Sequence, residues 1–143
     1  MEAYDEFQLK NTLNWLLIRA SFLAKQGLVK LAEKHRLTLA QVFALCLLEP
    51  GKAEPMKALA QQMSCDASTA SGIVDRLLEL GFIDRHEAKH DRRIKNIELT
   101  AAGKKLRKTL LEQIQANNSP ALANLTEDEA ASLRILLTKL LNY

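Results

Sequence analysis

At 143 residues and 48% hydrophobic content, the chain has the length of one domain of common size that can bury a core, and helix formers (Leu, Ala, Lys, Glu, Gln) dominate it, so the expected class is mainly α. No apolar run approaches the length of a membrane-spanning helix, and the first residues, MEAYDEFQLK, carry acids where a signal peptide would carry bases; the expectations are no membrane partner and a cytoplasmic location. A net charge of +3 says little alone, but ten Lys/Arg against five Asp/Glu fall between Arg76 and Lys108, a local +5 that leaves −2 for the remainder.

From about Ala3 to His35 apolar residues recur at helical spacing (Phe7, Leu13, Leu16, Leu17, Ala20, Leu23, Leu31), which predicts one long amphipathic helix. Gly27 within it marks a place for a bend or break. Thr38, with Gln41 three residues on, caps a second helix that ends at Pro50 and Gly51. A loop through Lys52 to Glu54 leads to Pro55, which suits the first turn of a third helix over Met56 to Met63. Asp66 caps a fourth helix from Ala67 to Leu80, and Gly81 closes it. Phe82 to His86 and Lys95 to Leu99 read as the arms of a β-hairpin, since Ile97 and Leu99 alternate with Asn96 and Glu98.

Thr100 caps a fifth helix reaching about Ala116, and Asn117, Asn118, Ser119 and Pro120 break it. Thr126 and Glu129 form a capping box for a last helix with the stripe Leu133, Leu136, Leu137, Leu140 and Leu141. The expected order is ααααββαα: a winged helix-turn-helix with a small β-hairpin wing, held between N- and C-terminal helices. Both end helices carry more apolar surface than a monomer of this size hides. A dimer interface explains that surplus, and an ordinary intrachain bundle is the alternative. The expected organisation is one domain over 1–143, with 3–35 and 101–143 as dimerisation helices and 38–100 as the DNA-binding lobe.

A short helix that can enter the major groove, followed by a basic hairpin, is a device for holding duplex DNA. The stretch DRRIKNIELTAAG resembles the wing signature of the MarR (multiple antibiotic resistance regulator) family: Asp91, Arg93, then Leu99, Thr100 and Gly103. Upstream, LAQQMSCDASTASGIVDRLLELGFIDR resembles that family's recognition segment, including Asp75, Arg76, Leu77, Gly81 and Arg85. The resemblance implies a homodimeric regulator on a pseudo-palindromic operator, usually a repressor released by a small molecule. It also implies that Ala67, Ser68, Thr69, Ser71 and Gly72 face the bases, that Arg76 meets the backbone or buttresses the wing, and that Arg85 belongs to the DNA-binding set. Arg93 would enter the minor groove with Asp91 holding its guanidinium, and Lys89, Arg92 and Lys95 would grip phosphates. Gly72 departs from the family pattern, where a larger polar or basic residue is common. Either it packs closely against another helix or it gives up a direct base contact.

His86 and His90 form an H-x3-H pair, but it spans a strand and a wing tip and has no further Cys or His to complete a zinc site, so no metal is expected. No Gly-rich phosphate loop or nucleophile elbow is present, so neither an enzyme nor a cofactor is expected. Trp15, Phe22 and Phe43 are candidates for lining an effector pocket, or else they are core aromatics. Cys46 and Cys65 read as packing residues. The competing readings are a winged-helix protein-interaction module, which has no need of a basic wing, and a thiol redox regulator acting through Cys65.

Overall fold

Helix boundaries in this chain follow local capping chemistry, and the computed structural model describes residues 6–116 and 119–142. α1 (Glu6–Lys10) is short, because Thr12 restarts the chain as α2 (Leu13–Lys34): its hydroxyl donates to the Leu9 carbonyl at 2.9 Å and accepts from the Trp15 N–H at 3.4 Å. At the head of α3 (Leu39–Leu47) Thr38 and Gln41 bond reciprocally, backbone to side chain, at 2.9 and 3.2 Å. β1 (Glu54–Pro55) runs directly into α4 (Met56–Gln62). Asp66 starts α5 (Ala67–Glu79) by accepting from the Thr69 N–H at 2.7 Å, and Gly81, at φ +74°, turns the chain out of it.

β2 (Ile83–Glu87) and β3 (Lys95–Leu99) form the hairpin; α6 (Ala101–Ala116), a 3₁₀ turn over Pro120–Asn124 and α7 (Glu127–Leu141) follow. Thr126 and Glu129 make the second reciprocal box, at the head of α7.

The chain divides into two compact units, residues 29–116 and, among the described residues, 6–28 with 119–142. The first holds the core: Leu31, Leu37, Val42, Leu45, Leu48, Leu59, Val74, Leu77, Ile83, Ile97, Leu99 and Leu110 are buried together. α3, α5 and α6 supply three helical walls, and the sheet, in the order β1-β3-β2 and antiparallel throughout, supplies the fourth. Burying one such leucine stabilises the unit by about 2 kcal/mol. In the second unit no described apolar side chain is buried.

Three sequence expectations need correction. The single first helix is two: the break falls at Asn11–Thr12, where a hydroxyl competes for the backbone, and α2 runs unbroken through Gly27. Ala3, where that helix was expected to begin, lies outside the described residues, as do Asn117 and Asn118. The loop before the third helix contains a strand, Glu54–Pro55, which pairs with Ile97 and Asn96 and makes the sheet three-stranded. Its Glu54 is buried, with Lys52 and Gln62 on its carboxylate at 3.4 Å each. α6 packs on α3 and β3 and gives Leu110 to the core of the 29–116 unit. The element order is therefore αααβααββα, a 3₁₀ turn and α, rather than ααααββαα.

Candidate nucleic-acid interface

α5 has two faces at helical spacing. Ala70, Val74 and Leu77 point into the core, while Ala67, Ser68, Thr69, Gly72, Asp75 and Arg76 are exposed and Ser71 is half-buried. The Thr69 N–H holds the Asp66 carboxyl below its ordinary range, so the cap stays ionised at neutral pH. The exposed face therefore opens with hydroxyl groups that can donate or accept.

Strand register decides how the wing is tied to this helix. Residues opposite each other in an antiparallel pair share a face, so Ile83 with Leu99, Arg85 with Ile97 and Glu87 with Lys95 form one side of the hairpin. The root of that side is apolar and buried. Its middle carries Arg85, whose guanidinium donates to Asp75 of α5 at 2.7 Å. Its outer end is the cross-strand ion pair Lys95–Glu87 at 2.8 Å. Arg85, expected on DNA, thus fastens the wing to the recognition helix, and Arg76 pairs along its own helix with Glu79 at 2.8 Å.

Between the strands the turn closes through Asp91, whose side chain accepts from the Arg93 backbone N–H at 2.9 Å, and through the Ile94 N–H donating to the Asp91 carbonyl at 3.0 Å. The resemblance implied that Asp91 would hold the Arg93 guanidinium; here it shapes the turn, because an Asp two residues back reaches the backbone more readily than a long side chain. Lys89, Arg92 and Arg93 are exposed, and among the described residues none of them has a carboxylate partner.

Sequence reasoning passed over Lys57. With Arg93 and Lys95 it lines a groove of about 260 Å³ between α4 and the wing, walled by Pro55, Met56 and Ile94. A second groove of about 430 Å³ along α4 is lined by Met56, Lys57, Ala60, Gln61, Cys65 and Ala67. Lys57 is the only charged residue of α4, and the first helix of a helix-turn-helix crosses the DNA backbone, which was the available signal.

The Leu99-Thr100-x-x-Gly103 pattern has a mechanical reason. The Thr100 hydroxyl accepts from the Gly103 N–H at 3.0 Å and donates to the Gly81 carbonyl at 2.7 Å, so one side chain caps α6 and pins the exit of α5. A β-carbon on Gly103 would collide with the Phe82 carbonyl. Gly72 differs: a β-carbon there meets no atom of the chain within 4 Å beyond its own stretch of helix, so close helix packing does not explain it. The fold carries that glycine at a cost of about 1 kcal/mol relative to alanine.

Trp15 and Phe22 lie on α2 in the 6–28 segment, half-buried and exposed respectively, and Phe43 is exposed on α3. Burial pushes the Cys46 thiol above its ordinary value, with nearby Arg107 pulling the other way, which disfavours the reactive thiolate. Among the described residues no three His, Cys, Asp or Glu gather as metal ligands, and no helix is long and apolar enough to cross a membrane.

Comparison with known proteins adds four findings. A family model described as the MarR family matches residues 37–95. The HTH-type transcriptional regulator PecS of Dickeya dadantii (strain 3937) is 30% identical over 125 residues, covering 85% of this chain and 75% of the relative. A cysteine-to-serine mutant of MarR from E. coli, solved in complex with operator DNA, superposes with a TM-score of 0.82 at 25% identity, covering 96% of this chain and 99% of that one. A probable transcriptional regulator from Pseudomonas aeruginosa superposes at 0.76 with 30% identity, over 92% and 98%.

Proposed function

This chain belongs to the MarR family, whose members are transcription regulators and not enzymes, and from that premise we propose that it regulates transcription as a homodimer on a pseudo-palindromic DNA operator. One observation carries the reading: the exposed hydroxyl face of α5 and a wing bearing unpaired Lys89, Arg92 and Arg93 are locked into one surface by Arg85–Asp75. The helix supplies base-edge contacts through Ser68, Thr69 and Ser71. Arg93 reaches a minor groove, and Lys89, Arg92, Lys95 and Lys57 hold phosphates. A residue that reaches phosphate fixes register; one that reaches a base edge sets sequence.

The second copy is placed by symmetry. Two recognition helices related by a two-fold axis read half-sites about one helical turn apart. Support for self-association comes from the exposed leucines of α2 and α7, among them Leu13, Leu16, Leu136 and Leu140. The regulator acts as a repressor in the cytoplasm, and a small molecule of the phenolic or aromatic-acid type releases it, with Trp15, Phe22 and Phe43 as the aromatic side chains available to such a ligand.

Selection of bound duplexes from a random-sequence pool, repeated with small aromatic acids present, tests each layer. A two-half-site motif that weakens in the presence of an acid is the expected result. Enrichment of no sequence would defeat base reading, a single half-site would defeat the dimer, and indifference to every acid would defeat that class of effector.

A further inference from the structure

Gly72 is the one position of the α5 outer face that the fold does not explain. It sits mid-helix, exposed, with no intrachain atom in the space a β-carbon would take, although glycine weakens a helix interior relative to alanine. The surface around it is low. One turn toward the N-terminus stand the short Ser68 and Thr69. One turn toward the C-terminus the longer side chains are engaged: Asp75 with Arg85 at 2.7 Å and with Ser71 at 3.4 Å, and Arg76 with Glu79 at 2.8 Å. The backbone at residue 72 is therefore open to close approach.

Whatever meets it is chosen by its chemistry. Within a helix the N–H and C=O of residue 72 belong to the ladder, and glycine offers no side-chain donor or acceptor. Only a close apolar contact is left. Among the features that base pairs present in the major groove, the apolar one is the C5-methyl group of thymine. We propose that Gly72 is the point of closest approach between α5 and the operator, where the missing β-carbon makes room for a thymine methyl and so sets base preference at one position of each half-site. This rests on the reading of α5 as the recognition helix, and it turns an apparent loss of a base contact into a contact of a different kind.

The test is a methyl added on one side and removed on the other. Gly72→Ala should raise the melting midpoint by a few degrees, since the fold gains a better helix former and meets no clash. That protein should bind the duplex enriched by wild type about tenfold more weakly, the cost of one mismatched position. Replacing dT by dU at the contacted position removes the methyl while leaving the hydrogen-bonding edge intact. It should restore Gly72→Ala binding to within about twofold of its original level while weakening wild type. Gly72→Ala binding as tightly as wild type would overturn the proposal, as would a loss that no dU position in the half-site rescues. Failure of wild type to enrich any sequence would remove the base-reading premise instead, so the two failures are told apart by the wild-type arm.

Discussion

Residues 29–116 bury a core of large apolar side chains, whereas among the described residues of 6–28 and 119–142 none is buried. Leu45, Leu59, Leu77 and Ile97 are 0% exposed in the first unit; in the second, Leu13 is 76%, Ile135 69% and Leu136 63% exposed. Both units are built from capped amphipathic helices, so the contrast does not come from local chemistry. The first has a sheet and a third wall of helix to close its core. The second has leucine-bearing helices with no fully buried apolar side chain among the described residues, which is the composition expected of half an interface. The lobe closes its core within the single chain, and on the proposed reading the helical unit is completed by association.

That comparison breaks first at Gly103, where α6 crosses the Phe82 carbonyl. Gly103→Ala forces backbone apart inside the closed lobe and should cost about 3 kcal/mol of unfolding free energy in urea titration, whatever the protein concentration. A loss below about 1 kcal/mol would mean that the crossing relaxes and the lobe is looser than it looks.

On the helical unit the same size of effect should appear only in association. Leu136→Glu with Leu140→Glu places charges on exposed positions that the lone chain tolerates. Lobe stability should stay unchanged while operator affinity falls about a hundredfold, near 2.7 kcal/mol, as paired half-sites lose their linkage. An unfolded double variant would indicate an intrachain bundle in place of a dimer face.

Within the lobe, wing and groove can be separated. Arg93→Ala should weaken binding most on duplexes with A·T flanks, by about tenfold, because a narrow minor groove attracts a guanidinium. Lys57→Ala should weaken operator, G·C-flanked and scrambled duplexes alike, and lower the salt slope by about one. Equal loss across all three duplexes for Arg93→Ala would reduce the wing to an electrostatic clamp.

The smallest effect is at the Asp66 cap. Its carboxyl is held below its ordinary pKa by the Thr69 N–H, so the stabilisation it gives α5 is fully present above the unfolded value and is lost as pH falls through the lower folded one. Asp66→Asn should therefore flatten stability against pH on the acid side of about pH 4 and leave pH 7 nearly untouched. An acid limb that is identical in the two proteins would place the acid sensitivity elsewhere.

What was legible in the sequence was local. Thr38 with Gln41, Asp66, Thr100, and Thr126 with Glu129 declare their helices within four residues, and all four caps form. The Asn11–Thr12 break carried a local signal too, hidden because the apolar period on either side continues through it. Contacts that depend on remote partners were not legible. The two-residue strand at Glu54–Pro55 exists only because Ile97 and Asn96 lie beside it, and a proline there reads as a helix start. Arg85 looked free for DNA until register set it beside Asp75. Lys57 carried a signal as the only charge of α4, and the folded wing set Arg93 and Lys95 around the same groove. Sequence named candidate residues for the interface; pairing decided which of them keep a side chain without an intrachain partner.

The most direct measurement is the stoichiometry of the intact protein on its selected duplex, by sedimentation at micromolar concentration and moderate salt. Two chains per duplex, with half-site centres about one helical turn apart and no comparable complex on scrambled DNA, is the expected result. One chain per duplex, or equal binding to scrambled DNA, would contradict a lobe that reads sequence and a helical unit that joins two of them.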